Sequence, residues 1–205
     1  MSYRLGNIAY SLRFAKVKRS VYFLKMKKKQ DILDAAERLF YLNGFHAVST
    51  DRICSEANVS TRTLYRYFPS RETLTAAVLD ARQQRFFSAL FEPDHPKAVS
   101  QLFDAMSAWM TQYGNNGCLF LKAWGEYVGE DPELAQQAMA YRHHMRAYIA
   151  RCVYHAHAKD NAALGDAIWL LFEGALTSAL ILGAEQACAA GKAAALQLLT
   201  LSEQT

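Results

Sequence analysis

The sequence predicts an all-α protein, and two observations lead to that prediction. Apolar residues recur at helical spacing along most of the chain, and no stretch shows the alternation expected of a strand. Only four prolines and ten glycines occur among the 205 residues, which favours long helices over many short strands. A hydrophobic fraction of 52% and a charged fraction of 20% indicate a globular chain that can bury a core.

The first predicted helix covers residues 27–43 and is followed by a second, shorter helix. The apolar residues of the first helix share the 3.6-residue period: Ile32, Ala35, Ala36, Leu39 and Phe40. Gly44 stands where a left-handed residue would end this helix. Ser49 can cap the second helix, whose inward residues are Ile53, Cys54 and Ala57.

The tripeptide Asn58-Val59-Ser60 predicts a tight turn before a third helix. Asn tolerates the left-handed conformation that such a turn requires, and Ser60 is a strong N-cap. Val59 and Leu64 have the spacing of a hydrophobic staple, which fixes the angle between turn and helix. Pro69 ends the third helix at about Phe68. Two short helices joined by so short a turn form a helix-turn-helix.

Six further helices are expected in the rest of the chain. They cover roughly residues 71–91, 97–113, 118–129, 132–158, 161–183 and 190–201. Breaks are expected at Glu92–Pro96, Gly114–Gly117, Asp131–Pro132, Asp160–Asn161 and in the region after Gly183. We therefore divide the chain into a basic extension (1–25), a helix-turn-helix domain (26–86) and a larger helical domain (87–205).

Basic residues are concentrated towards the N-terminus. Residues 1–25 contain six Lys and Arg and no acid, residues 26–71 contain eight bases and five acids, and residues 72–205 contain nine bases and fourteen acids. This gradient suggests that the N-terminal third meets a polyanion. The extension resembles either a nucleic-acid-binding arm or a transit peptide. We favour a third interpretation, in which the natural start is Met26.

Other classes of protein find little support in the sequence. Cys54, Cys118, Cys152 and Cys188 have no metal-ligand spacing, so reduced thiols in a cytoplasmic protein are expected. The most apolar stretch, Ala175–Ala184, is about half the ~20 residues that a membrane span needs. No catalytic motif occurs, so we predict neither an enzyme nor a bound metal or cofactor.

The third helix has one apolar edge and one edge suited to DNA. Leu64 and Phe68 form the apolar edge, and Arg62 and Arg66 lie together on the other. Arg can donate two hydrogen bonds to guanine, and Thr can contact base edges. Tyr hydroxyls contact phosphates and so fix the register of a protein on DNA. Hydroxyl groups and free backbone N–H groups at the start of a helix can do the same. The alternative is an ordinary solvated face.

The segment ILDAAERLFYLNGFHAVSTDRICSEANVSTRTLYRYFPSRETL resembles the N-terminal domain of the TetR family along its length. The shared features include the A-A-x-x-L-F helix, A-x-V-S and the L-Y-x-Y-F ending, within residues 26–86. Asn58 replaces a common Gly, and Cys54 replaces a common Ala. The resemblance implies a homodimer on a palindromic double-stranded DNA operator, released by a small-molecule effector. It assigns DNA contacts to Ser49, Thr50, Thr61, Arg62, Thr63, Tyr65, Tyr67 and Arg71, to which geometry adds Arg66.

The second domain is less specific in its pattern. Its aromatic residues are most simply core residues, but together they suggest an apolar effector pocket: Trp109, Tyr113, Phe120, Trp124, Tyr127, Trp169 and Phe172. The resemblance implies that the last two helices form a four-helix bundle with a partner subunit.

These features predict a DNA-binding transcriptional regulator, most simply a repressor, with no membrane partner. The alternative is an architectural protein that binds duplexes with little sequence preference. That alternative predicts similar affinity for all duplexes and a steep dependence on salt.

Overall fold

The computed structural model describes residues 26–157 and 160–202, and all regular structure in those ranges is helical. This confirms the predicted all-α class. The chain divides into two compact units after Val78, a position within helix α4 (Arg71–Ser88). The sequence placed the boundary at residue 86, in the same helix. Residues 1–25, the predicted basic extension, lie outside the described residues.

The first unit contains three helices and the beginning of α4. These are α1 at residues 26–43, α2 (Thr50–Glu56) and α3 (Thr61–Tyr67). The five apolar residues that predicted α1 are all buried. Gly44 has a φ of 85°, and its N–H donates to the carbonyl of Phe40 at 2.9 Å. The predicted end of α1 is therefore confirmed.

Serine side chains begin both helices of the helix-turn-helix. The Oγ of Ser49 accepts a hydrogen bond from the N–H of Arg52 at 3.2 Å, and the Oγ of Ser60 accepts one from Thr63 at 3.2 Å. Each bond satisfies a backbone donor that the first turn of a helix leaves unpaired. Both predicted caps are confirmed.

The turn between α2 and α3 is a Schellman motif. Asn58 has a φ of 50° and donates its N–H to the carbonyl of Ser55 at 3.2 Å. The N–H of Val59 donates to the carbonyl of Cys54 at 3.0 Å. This pair of bonds closes a helix whose next residue is left-handed. Asn58 thus has the conformation that the sequence predicted.

The second unit packs five further helices together with the end of α4. They are α5 (Ala98–Tyr113), α6 (Leu119–Tyr127), α7 (Pro132–His157), α8 (Ala162–Leu182) and α9 (Ala184–Ser202). Helix α8 packs against α7 and α9, α9 also packs against α5, and α6 packs against α7. Asn161 caps α8 through a bond from the N–H of Leu164 at 3.1 Å, where a break was expected. The core of the unit consists of the apolar faces of these helices.

Two predicted helix bounds are wrong. Helix α9 begins at Ala184 and not at residue 190, because Gly183 alone makes the break. Its φ is 81°, its N–H closes α8 at Ala179, and its carbonyl already accepts from Ala187. Helix α4 ends at Ser88 and not at residue 91, since the next N–H groups bond three residues back, to Phe86 and Phe87.

Helix α8 also corrects the estimate of membrane-spanning potential. Its 21 residues have a mean hydropathy of 1.4 in their most apolar window, so by length and composition α8 could cross a bilayer. Only 33% of that window is buried in the structure. The sequence estimate was too strict because it stopped at polar residues within the helix. Among these, Glu173 forms an ion pair with Arg142 of α7, so this part of α8 packs against another helix of the same unit.

Candidate nucleic-acid interface

Helix α3 buries one edge and exposes the other, as predicted. Leu64 and Phe68 are 1% and 3% exposed, whereas Arg62, Tyr65 and Arg66 are exposed. The apolar edge anchors the helix in the first unit. The exposed edge can therefore meet a ligand without any loss of packing.

The hydroxyl groups of the site differ in their availability. Thr61 is exposed, but the Oγ1 of Thr63 shares a 2.9 Å hydrogen bond with the Oγ of Ser60. The Oγ of Ser49 caps α2, and Thr50 beside it is half-buried. The start of α2 thus keeps its partial positive charge near two hydroxyl groups, which suits a phosphate.

Arg66 and Tyr67 form a stacked pair. The guanidinium of Arg66 lies 5.1 Å from the centre of the Tyr67 ring. The Tyr67 hydroxyl is buried and forms no hydrogen bond within the described residues. The Arg66 guanidinium therefore lies against the Tyr67 ring, whereas the side chain of Tyr65 is exposed to solvent.

Arg71 ties the start of α4 to the connection between α1 and α2. Its guanidinium donates to the carbonyl of Phe45 and lies 5.2 Å from the centre of the Phe40 ring. Because a guanidinium carries five N–H donors, this bond leaves donors that could reach a phosphate. Arg71 is thus a structural residue as well as a candidate contact.

A polar groove runs beside the turn of the helix-turn-helix. Its volume is about 420 Å³, and it is lined by Lys28, Cys54, Ser55, Asn58, Val59, Ser60 and Thr63. Sequence reasoning did not point to Lys28 or Ser55, which line this groove. The run Lys27–Lys29 was the available signal, but it gave no indication of which lysine would lie beside the turn.

The predicted aromatic residues of the second unit divide by exposure. Phe120, Tyr127 and Phe172 are buried, Trp109 and Trp169 are half-buried, and Tyr113 and Trp124 are exposed by 37% and 41%. Phe120 stacks on Tyr141 with ring centres 3.7 Å apart. The ring centre of Trp109 lies 4.3 Å from that of Tyr113 and 5.3 Å from that of Phe86. The ring centres of Phe86 and Phe172 are 6.4 Å apart.

Charged residues within this unit were missed by sequence reasoning. Arg82 is 6% exposed, and its guanidinium lies 5.2 Å from the centre of the Trp109 ring. Arg142 donates to Glu173 at 2.8 Å, and both side chains are 14% exposed. Burial raises the pKa of Glu173, against the lowering effect of Arg142. Arg82 could have been noticed because it shares a helical face with Val78 and Phe86.

The cysteines and the potential metal ligands show neither a disulfide nor a metal site within the described residues. The four cysteines, all among the described residues, are free thiols. Burial raises the pKa of Cys118, and it raises the pKa of Cys152 and Cys188 to about 11. Within residues 26–157 and 160–202, no group of three His, Cys, Asp or Glu side chains is placed to hold a metal ion.

Two short capped helices joined by a tight turn, the second with an exposed Arg and Tyr edge, define a helix-turn-helix protein, and comparison with known families identifies which one. Residues 32–78 match the bacterial regulatory proteins of the tetR family, and residues 96–195 match the C-terminal domain of tetracycline-repressor-like proteins. The chain belongs to the TetR family of transcriptional regulators, as the sequence resemblance indicated.

Individual relatives agree with this assignment. The HTH-type transcriptional regulator UidR of Escherichia coli is 40% identical over 62 residues, 30% of this chain and 32% of UidR. An uncharacterised HTH-type transcriptional regulator of Mycobacterium tuberculosis is 44% identical over 121 residues, 54% of this chain and 59% of that protein. The chain thus matches about a third and about three fifths of the lengths of these relatives.

The fold has solved counterparts. A TetR-family transcriptional regulator from Streptomyces coelicolor, SCO4454, superposes with a TM-score of 0.77 at 22% identity, over 87% of this chain and 97% of that one. A TetR transcriptional regulator from Legionella pneumophila superposes with a TM-score of 0.70 at 22% identity, over 82% and 95%. At this level of identity the likeness establishes the fold alone.

Proposed function

We propose that this chain is a cytoplasmic, homodimeric transcriptional repressor that binds a palindromic double-stranded DNA operator. A small-molecule effector in the second unit releases it. The observation that carries the proposal is the exposed edge of α3, where Arg62 and Arg66 lie one helical turn apart. Two guanidiniums on a short helix can each donate bidentately to a guanine in the major groove.

The phosphate contacts would come from residues around α3. The candidates are Ser49 and Thr50 at the start of α2, Thr61 at the start of α3 and Arg71 at the start of α4. Such contacts fix the register of a protein on DNA without reading bases. Thr63 and Tyr67 then have mixed roles, since one helps to cap α3 and the other supports Arg66.

Exposed apolar residues of α8 and α9 support the dimer. Large apolar side chains on these two helices are 40% to 88% exposed: Leu170, Leu180, Ile181, Leu182, Leu196 and Leu201. A patch of this kind favours association with another protein surface. A second copy of the chain is the occupant proposed here, because a palindromic operator requires two recognition helices about 34–36 Å apart.

Enrichment from a random pool of duplexes tests the DNA-binding proposal. We expect the enriched duplexes to share an inverted repeat, and the purified chain to prefer it by about a thousandfold or more over unrelated DNA. Similar affinity for all duplexes would instead identify the sequence-tolerant architectural protein.

Sedimentation of an Ile181→Glu variant tests the dimer. Ile181 is 88% exposed, so the substitution should leave the protomer folded and place a charge in the proposed interface. We expect a dimeric wild type and a monomeric variant. Leu121→Glu on α6 is the matched control, since Leu121 is also exposed but lies outside α8 and α9. A wild type that remains monomeric on enriched DNA would contradict the proposal.

A further inference from the structure

The polar groove beside the turn of the helix-turn-helix is lined by groups that can donate hydrogen bonds. They include the Nζ of Lys28, the Oγ of Ser55 and the side-chain amide of Asn58, and all three side chains are exposed. None of the described residues that line the groove is acidic. The groove therefore has the polarity of a site for an anion.

Lys28 is the cation of this groove, and the start of α1 holds it in place. Its ammonium group forms no ion pair or hydrogen bond within residues 26–157 and 160–202. The neighbouring Lys29 has its Nζ 5.8 Å from the centre of the Phe68 ring at the end of α3, and Ile32, one turn later, is fully buried. The start of α1 is thus packed against the first unit, so Lys28 stays beside the turn.

Ser60 and Thr63 bring a further donor to the groove. The Oγ of Ser60 and the Oγ1 of Thr63 are 2.9 Å apart and share one hydrogen bond, and the Ser60 oxygen also accepts from the N–H of Thr63. Two hydroxyl groups carry two hydrogens, and their mutual bond uses one of them. The other hydrogen is left to donate to a ligand in the groove.

The carbonyl end of α2 lies beside the groove, and its partial negative charge would repel an anion. Two features weaken this repulsion. The carbonyls of Cys54 and Ser55 already accept from N–H groups of the turn, and Glu56 in the last turn of α2 forms an ion pair with Arg38. Lys28 thus carries the only full charge among the described residues that line the groove.

We propose that the groove holds a phosphodiester of the DNA backbone, bound by the Nζ of Lys28, the Oγ of Ser55 and the remaining hydroxyl hydrogen of the Ser60–Thr63 pair. The inference rests on the proposed function and adds a backbone contact at the turn itself. The groove volume of about 420 Å³ is in the range of sites for whole small molecules, and the groove opens beside α3, the helix proposed to meet DNA. A continuous sugar-phosphate chain fits these two properties better than a free anion does.

Fluorescence anisotropy over a series of salt concentrations tests the role of Lys28. We expect Lys28→Gln to weaken binding to the enriched operator and to unrelated DNA by similar factors, about three- to tenfold at about 0.1 M salt. The slope of log affinity against log salt should fall by about one unit, because one phosphate contact no longer releases a counterion. Lys27→Gln is the matched control, since Lys27 is exposed in the same turn but does not line the groove. Equal effects of the two substitutions would overturn the proposal, because α1 would then act through its charge alone.

A double-mutant cycle tests whether Lys28 and Ser55 hold the same phosphate. Both side chains are exposed, so the variants should fold. Ser55→Ala should weaken binding by about two- to tenfold and leave the salt slope unchanged, because a neutral hydroxyl group displaces no counterion. The double variant should lose less affinity than the product of the two single effects, since either substitution alone already loosens the shared phosphate. A loss equal to that product would contradict a shared site.

Inorganic phosphate separates a site for DNA from a site for a free anion. Calorimetry at millimolar phosphate should show no binding, because one exposed lysine gains little from exchanging water for a free ion. Saturable binding that Lys28→Gln abolishes would identify a small-anion site and overturn the assignment to DNA.

Failure of this inference can be separated from failure of the proposed function. The effect of Lys28→Gln is measured on unrelated DNA as well, so it does not require a preferred operator. A chain without sequence preference that still loses affinity and salt slope in Lys28→Gln supports the groove contact and contradicts the repressor. A chain that keeps its operator preference but shows no effect of Lys28→Gln contradicts the groove contact alone.

Discussion

Helices α2 and α3 of the first unit contain seven residues each, whereas α7 of the second unit contains 26. Short helices depend on their end groups, because most of their backbone donors and acceptors belong to the first and last turns. Long helices depend on the faces that they bury. The first unit is therefore specified by caps and turns, and the second by packing between residues distant in sequence.

The same contrast applies to the functions proposed for the two units. In the first unit, capping leaves the exposed edge of α3 free to carry Arg62 and Arg66. In the second unit, packing brings Arg142 of α7 to Glu173 of α8, two charged residues that no local pattern connects. A candidate DNA-binding surface can thus be predicted from a short segment, whereas contacts inside the second unit depend on the fold of the whole unit.

A pair of glycines tests the dependence of the second unit on packing. A Cβ at Gly191 of α9 would lie 2.8 Å from a ring atom of Phe103 and 3.2 Å from the Cβ of Ala175. We expect Gly191→Ala to destabilise the protein by about 1–3 kcal/mol through overpacking. In α8, a Cβ at Gly174 meets nothing within 4 Å, so Gly174→Ala should stabilise by about 0.5–1 kcal/mol.

Urea unfolding followed by tryptophan fluorescence measures both glycine variants, since all three tryptophans lie in the second unit. Equal effects of the two substitutions would mean that helix propensity, and not close packing of α9, limits stability there.

The left-handed turn residue tests the dependence of the first unit on local conformation. Asn58→Ala should destabilise this unit by about 1 kcal/mol, because Ala pays a steric cost at a φ of 50°. Asn58→Gly is the matched control and should be neutral or slightly stabilising. Hydrogen exchange of the amides in α2 and α3 measures the change. An Ala variant as stable as the Gly variant would show that the turn does not constrain the unit.

The cap of α3 should have a similar or smaller effect. Ser60→Ala removes the acceptor for the N–H of Thr63 and should cost about 1 kcal/mol. Ser60→Asp keeps an acceptor and should retain most of the stability. The same hydrogen-exchange experiment applies, with tryptophan fluorescence as a check that the second unit is unchanged. Loss of protection in the second unit would break the separation of the two regions.

Arg71 should show the smallest effect, divided between stability and DNA binding. Arg71→Lys keeps the charge but loses the planar group that bonds Phe45 and covers Phe40. We expect this variant to lower stability while leaving the salt dependence of DNA binding unchanged. Arg71→Ala should also lower the slope of log affinity against log salt by about one unit. A changed base preference in either variant would assign Arg71 to base contacts.

What could be predicted from the sequence differs between the two units for the same reason. Gly44, Ser49, Asn58 and Ser60 act on backbone groups within five residues of themselves, so their roles could be predicted from the sequence. The single-residue break at Gly183 could not be predicted, because Ala184 and its neighbours are compatible with either a loop or a helix. Arg82 and Glu173 are separated by most of the second unit in sequence. Only the folded chain shows that Arg82 lies over Trp109 and that Glu173 pairs with Arg142.

The measurement that tests the account most directly compares Arg62→Ala and Arg66→Ala with the wild type on the enriched operator and on unrelated DNA. Fluorescence anisotropy at fixed salt gives the affinities. Each residue that contacts a guanine bidentately should cost about 1–3 kcal/mol on the operator and much less on unrelated DNA. If neither substitution weakens operator binding, or if both weaken all duplexes equally, α3 does not read the sequence and the proposed function is contradicted.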